Sequence, residues 1–519
     1  MKKIFIIATA LICYSYTIAQ TEFDALKLEQ TDIIGTARYM GMAGAFGALG
    51  GDASSIKDNP AGLGIYRSSE IVGTLNFNGQ INTSTWNDKT SRDNSFKGGF
   101  NNFAYIVSCP TWENEHGGTT GLLNSNWSFS FNTIKSFNRN LAILGGSSSS
   151  SMTDYMAYLT TNAELQTKQF FSGNNLNYDN PDVPYLSVMG YEAYLINEEN
   201  VGWRSDLLGT EKVTPSYYSK ETGSIDEYSL GWAGNFSNVF YLGATANIQT
   251  INYNSNTTYS EAFNNRFGKF TLNNNLSTTG AGINLKIGAI IKPTDFLRFG
   301  VSINTPTVYV LTNSYNSSIQ SNLYNNNLDS IVSGNSDNYG SYDFQLQSPV
   351  QLALSSAFIM GQKGLISLEY NYNDYSTSKY MDVNGNSKNY QYENDGMSKM
   401  LMASQTWKIG AEYRLNNNFS LRAGYAYSTS ATTPQAEKNV YVYNTTRVDT
   451  EYFKHNNTNY FSAGFGFREA GWYIDFACMS KLINESFMPF NSNYLAIKGN
   501  PASVITNTNN AVVTLGFRF

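Results

Sequence analysis

Alternation of apolar and polar residues dominates the second half of the chain. Trp407, Ile409, Ala411, Tyr413 and Leu415 occupy successive odd positions, Asn416-Asn417-Asn418 interrupts them, and Phe419, Leu421, Ala423, Tyr425 and Tyr427 resume the pattern. A period of two puts these side chains on one face of a strand and Lys408, Glu412, Ser420 and Arg422 on the other, so the segment reads as a β-hairpin with one apolar and one polar side. Similar short turns stand at Ser237-Asn238, Lys292 to Asp295, Gly361 to Gly364 and Glu469 to Gly471. Between them run long Asn/Ser/Thr-rich connections, about Ser255 to Ser277, Thr305 to Tyr342, Ser376 to Met400, Ser430 to Thr458 and Asn484 to Ser503. Short turns on one side and long loops on the other mark a barrel threaded through a bilayer, whereas a soluble sandwich has no reason to keep that parity.

The first half predicts strands at Ile71 to Asn78, Asn102 to Ser108 and Trp127 to about Leu144, then an excursion from Ser147 to Ile225. Three strands before the excursion and eleven after it make fourteen, an even number with both termini on the short-turn side. The expected fold is all-β, a 14-stranded antiparallel transmembrane β-barrel over 69–519, with 147–225 as a long outer loop carrying short helices. Met152, Tyr155, Met156 and Leu159 recur at helical spacing, and Leu186 and Met189 lie in a second apolar stretch. These residues could form an adaptable landing groove for hydrophobic ligands or bury their stripe against the barrel rim.

Composition agrees with a lipid-facing surface. Only 14% of the 519 residues are charged, against about 25% in an ordinary soluble protein. The 37 Tyr, 31 Phe and 7 Trp suit strands and interfacial girdles. A net charge of -6 without a basic cluster gives no footprint for nucleic acid. Lys2 and Lys3, an apolar run from Ile4 to Cys13, and Thr17-Ile18-Ala19 predict a signal peptide over 1–19, cut after Ala19. Lipoprotein processing at Cys13 is disfavoured because Ile12 stands where a small residue is needed. The remaining Cys109 and Cys478 imply no disulfide framework, and Cys478 falls on an apolar strand face.

Catalytic and metal chemistry find little support. The two histidines, His116 in the connection between strands two and three and His455 in a polar loop, fall on opposite sides of the membrane in this topology. They cannot share a metal or serve one Ser-His pair. No enzyme activity, metal or cofactor is expected. Asp52 and Asp58 lack the alternating oxygen ligands of a calcium loop and read as turn caps. Ser, Thr, Asn and Gly dominate the polar strand faces, so the lumen is expected to be sparsely charged.

The segment 20–68 does not alternate. Gly41, Gly44, Gly47 and Gly50 recur every third residue, which permits close backbone packing in a confined space. The dinucleotide fingerprint is excluded by spacing and by the lack of a preceding strand; a flexible linker is the plainer alternative. The run Gly50-Gly51-Asp52-Ala53-Ser54-Ser55-Ile56-Lys57-Asp58-Asn59-Pro60-Ala61-Gly62-Leu63 resembles the N-terminal plug of the FadL/TodX family of outer-membrane transporters for long-chain fatty acids and other hydrophobic compounds, at Asn59, Pro60 and Ala61 above all. Leu297 to Val301 and Leu421 to Tyr425 are similar to that family too, and Leu515, Phe517 and the terminal Phe519 resemble the assembly signal of bacterial outer-membrane barrels.

The resemblance implies a barrel closed by an N-terminal lumenal plug, with Asn59, Pro60, Ala61 and Gly62 in plugging and gating. It also implies passive outer-membrane transport of hydrophobic small molecules, fatty-acid-like, with sideways exit through the wall. The implied partners are a hydrophobic ligand, outer-membrane lipid and the barrel-assembly machinery, around a monomer. A water-filled porin, a haem or other hydrophobic-ligand receptor, and a surface adhesin are the alternatives. A TonB-dependent receptor, with about 22 strands, would need a longer chain.

Overall fold

The structure, a computed structural model, describes residues 20–173, 175–176, 183–207, 211–264, 268–324, 331–438 and 447–519. The expected signal peptide, 1–19, lies outside the described residues.

Fourteen antiparallel staves close on themselves. They are β1 (Glu70–Trp86), β2 (Lys89–Val107), β3 (Leu122–Ser136), β4 (Val213–Phe236), β5 (Phe240–Phe263), β6 (Lys269–Thr294), β7 (Leu297–Asn304), β8 (Gln351–Met360), β9 (Gly364–Asp374), β10 (Ala403–Arg414), β11 (Phe419–Ser428), β12 (Tyr452–Glu469), β13 (Trp472–Met488) and β14 (Ala502–Arg518). The seam joins β1 to β14, from Glu70↔Arg518 to Thr85↔Ser503. Closure leaves no strand edge, which is what allows a sheet to cross hydrocarbon.

The outward faces carry the apolar residues the alternation predicted. On β14 they run Phe517, Leu515, Val513 and Ala511 before turning polar at Asn509. Four alternate residues span roughly 20 Å along a strand, the larger part of an apolar belt about 25 Å tall. Aromatic pairs flank it, Phe467 with Trp472 at 5.6 Å below and Tyr370 with Trp407 at 4.4 Å above. Cys478 is exposed on this outer surface.

The loop boundaries differ from expectation, for one reason. Outside the bilayer both faces of a strand are wet, so polar composition no longer distinguishes strand from loop. β5 and β6 continue to Phe263 and from Lys269. The region expected as a loop after Asn304 is a hairpin, Val308–Tyr324 against Ile331–Gln347, standing on β7 and β8. β1 and β2 are also longer than expected and meet at Asn87-Asp88, whose φ values of 45° and 63° form a tight turn. That outer turn is short, while the opposite β2–β3 connection holds a one-turn helix, Trp112–Glu115, so loop length is an imperfect guide to side. The outer excursion ends sooner than expected, at Val213.

Residues 20–68 lie inside the ring as α1 (Glu22–Glu29), α2 (Ala37–Gly41) and two 3-10 turns, Ala53–Lys57 and Pro60–Ile65. Between 33 and 66 nearly every residue is buried, so a flexible linker is not what the chain forms. The outer loops fold over the mouth as α3 (Met152–Asn162), α4 (Tyr185–Glu192) and α5 (Gln391–Met400).

Candidate functional site

The plug descends from the outer mouth to the start of β1 and is fixed to the wall by charge. Lys27 meets Glu221 at 2.5 Å, Asp32 pairs with Lys481, and Arg38 meets Glu412 at 2.8 Å. Glu412 also takes Arg422 at 2.7 Å, which reaches Asp475 at 2.6 Å. Glu369 accepts from the backbone amide of Gly47 at 2.8 Å while Lys408 holds its other oxygen at 2.7 Å. The expectation of a sparsely charged lumen is therefore corrected. Scattered single charges, one or two per strand, converge when fourteen inward faces enclose one space.

Asn59, Pro60, Ala61 and Gly62 form the lower turn of the plug. The Asn59 amide donates to the carbonyls of Gly47 at 2.7 Å and Ala289 at 3.2 Å, and its oxygen caps the turn by accepting from the amide of Ala61 at 3.1 Å. Asp52 caps the preceding turn through Ser54 and accepts from Thr36 at 2.8 Å. Asp58 instead accepts from the Tyr39 hydroxyl at 2.6 Å. Gly50 has φ +58° and lies so close to Gly62 that a Cβ would stand 2.6 Å from its Cα.

Close approach also depends on glycines of the wall, which sequence reasoning did not single out. A Cβ on Gly288 would lie 1.9 Å from Asn59 Oδ1, and on Gly243 2.5 Å from the Pro60 carbonyl carbon. Gly300, Gly410 and Gly424 stand equally close to Gly47 and Met42. The available signal was a glycine on the inward parity of a strand interior, where it marks close backbone approach.

Above the plug is a cavity of about 690 Å3. Its floor includes Ile33, Ile34, Tyr39 and Lys57, and Lys27, Glu221, Phe453 and His455 stand where it meets a smaller outer cavity of about 80 Å3. His455 is on β12, not in a loop, and its Nδ1 lies 3.1 Å from Glu485. His116 is remote, stacked at 3.6 Å on Trp112.

On one side of this chamber the wall ladder is interrupted. β2 pairs with β3 only from Asn102↔Asn132 to Val107↔Trp127. Beyond that, β2 stays with β1, and the chain of β3 breaks at Phe137-Asn138 and continues as Arg139–Leu144 paired to β4. A bulge in β2 at the break brings Asn101 inward, where it donates to the carbonyl of Gly35 at 3.3 Å. The interruption is bridged by side chains, Ser91 to the Ala142 carbonyl at 2.7 Å and Lys97 to Asn138. Gly98, Gly99, Phe100, Phe131 and Thr133 line both it and the chamber. A Cβ on Gly99 would meet nothing within 4 Å.

The six outer-loop residues Met152, Tyr155, Met156, Leu159, Leu186 and Met189 are all buried in one cluster with the barrel rim residues Trp86, Tyr217 and Phe487. Tyr155 stacks on Phe490 at 5.6 Å. Leu515, Phe517 and Phe519 point to the outside of the barrel, and the Phe519 backbone bonds that of Ser69 at 3.0 and 3.1 Å.

A family model described as outer membrane protein transport protein (OMPP1/FadL/TodX) matches residues 225–448. Nothing among the curated proteins matches the chain. A Pseudomonas aeruginosa FadL homologue is similar in structure, with 12% identity, TM-score 0.51, and coverage of 95% of this chain and 100% of that one. At that identity the likeness speaks to the fold. The toluene transporters TodX of Pseudomonas putida (11% identity, TM-score 0.48, 95% and 100% covered) and TbuX of Ralstonia pickettii (12%, 0.47, 94% and 99%) also align.

Proposed function

Because a family model of outer-membrane transport proteins (OMPP1/FadL/TodX) matches residues 225–448, we propose that the chain belongs to that family, admits fatty-acid-like hydrophobic molecules passively from outside and releases them sideways into the membrane. The observation that carries this reading is the interrupted β2–β3 ladder beside a chamber whose floor is the plug. A molecule entering past Phe453 meets buried, ion-paired chain below and an unladdered wall at its side. Sideways release keeps an oily tail out of water, worth about 0.8 kcal/mol per CH₂. Asn59, Pro60, Ala61 and Gly62 hold the floor shut in this scheme. The buried outer helices form its lid, so capture through Met152, Tyr155, Met156, Leu159, Leu186 and Met189 requires α3 and α4 to part. A water-filled porin fits less well, since buried, ion-paired chain lies across the lumen below the chamber.

Gly99→Trp tests the route, because a Cβ at this position meets no atom within 4 Å and the side chain starts from open space at the break. Uptake of a labelled long-chain fatty acid by cells should fall to near background while barrel assembly is unchanged. Undiminished uptake would remove the sideways path.

A further inference from the structure

The wall across from the break differs in chemistry from the break itself. β8 and β9 stand six of the fourteen staves around the ring from β2 and β3. There Asn304, Gln351 and Asn373 face one another in register across three strands, with Asn371 one inward position below. Asn304 donates to Gln351 at 3.5 Å, yet the side-chain oxygens of Asn304, Asn371 and Asn373 have no hydrogen-bond partner among the described residues. Above them Glu29, 4% exposed, uses one carboxyl oxygen to accept from Ser378 at 2.6 Å, and its other oxygen is also unpartnered. All four residues line the chamber. Buried acceptors without donors are costly, by about 1–3 kcal/mol each, so this patch is built to receive donors.

Net charge narrows the class of donor. Among the described residues, eight basic and eight acidic side chains line the chamber, so it favours neither cation nor anion. At the break the lining includes the apolar side chains Phe100, Phe131, Ile134 and Phe137 beside Lys97, Thr133 and Lys135. We propose that the chamber receives the hydroxyl-bearing head of a neutral amphiphile on the Glu29, Asn304, Asn371 and Asn373 patch, its tail lying toward the break between β2 and β3. This rests on the sideways-transport reading above and sets, within its hydrophobic cargo, a preference for an uncharged hydroxyl head over a carboxylate one.

The test uses the purified full-length mature protein in lipid nanodiscs, equilibrated with equal sub-micellar amounts of decane, decanoate, decylamine and decyl glucoside, with retained probe quantified by mass spectrometry against empty nanodiscs. Decyl glucoside should be retained most. In the double variant Asn371→Leu, Asn373→Leu its preference over decane should drop about tenfold, the loss of one to two net hydrogen bonds. Heat-modifiable gel mobility confirms that the variant barrel is folded, and Asn371→Asp with Asn373→Asp, which keeps the acceptors, should retain the preference over decane. Equal or greater retention of decane or decanoate, or a preference unmoved in the Leu variant, overturns the cargo class while leaving transport standing. Retention of none of the four, together with cellular fatty-acid uptake no greater than without the protein, overturns both.

Discussion

Arg38 of the plug and Glu412 of β10 form a two-pronged ion pair inside the barrel, Nε to Oε2 at 2.8 Å and a terminal nitrogen to Oε1 at 3.1 Å. Two parallel bonds fix the plug's angle as well as its position. Arg38→Ala leaves Glu412 still paired with Arg422, so the cost should fall near or below the lower end of the roughly 3–5 kcal/mol seen when a buried pair is broken. The barrel should assemble normally and the plug loosen. Single-channel recordings should show raised, flickering ion leakage; a conductance equal to the parent's would mean that this pair does not hold the stopper.

Gly288 on β6 makes room for Asn59. Gly288→Val places a Cβ where only 1.9 Å separates it from the Asn59 oxygen. Overpacking of this kind costs about 1–3 kcal/mol, and it should be relieved by lifting the plug rather than by opening a fourteen-strand ladder. Leakage should rise at unchanged heat-modifiable mobility, and adding Asn59→Gly should restore part of the seal. Failure of the second change to help would place the strain elsewhere.

Glu22 on α1 and Glu393 on α5 meet at the outer mouth, outside the spanning strands, and burial pushes both carboxyls up to about 7. Each is therefore protonated more readily in the docked state than at its ordinary value of 4.5. Their contribution to docking is full below pH 4.5 and is lost as pH rises through about 7. Hydrogen exchange at α1 and α5 amides, corrected for intrinsic rate, should show protection declining from pH 5 to pH 8. Glu22→Gln with Glu393→Gln should flatten the profile; a parent profile already flat would refute the linkage.

Phe519 is 66% exposed on the outer surface and contributes no internal packing, while its backbone closes the seam to Ser69. Under the assembly-signal proposal, Phe519→Ala should lower the amount of barrel reaching the outer membrane without lowering the thermal stability of what arrives. Pulse-chase fractionation and a melting curve on the purified variant separate the two. Normal delivery would reduce Phe519 to an ordinary outward residue.

Strand identity within the bilayer was legible because lipid and lumen impose opposite demands on alternate residues, as along Trp407 to Leu415 and Val513 to Phe519. The even count followed from those strands and their turns, and the plug from the resemblance of the run ending at Asn59, Pro60 and Ala61 to the FadL/TodX family. Where the demand disappears, above the membrane, the reading failed: Val308 to Leu323 looked like loop although Tyr309, Leu311, Tyr315, Ile319 and Leu323 keep one parity. Tertiary structure alone decided the chamber. Glu29, Asn304 and Asn373 are hundreds of residues apart or on different staves, and only closure of the ring and docking of α1 turn them toward one space. The interrupted ladder between β2 and β3 is likewise a matter of which strand each segment pairs with, a non-local choice that the alternation of a single strand does not encode.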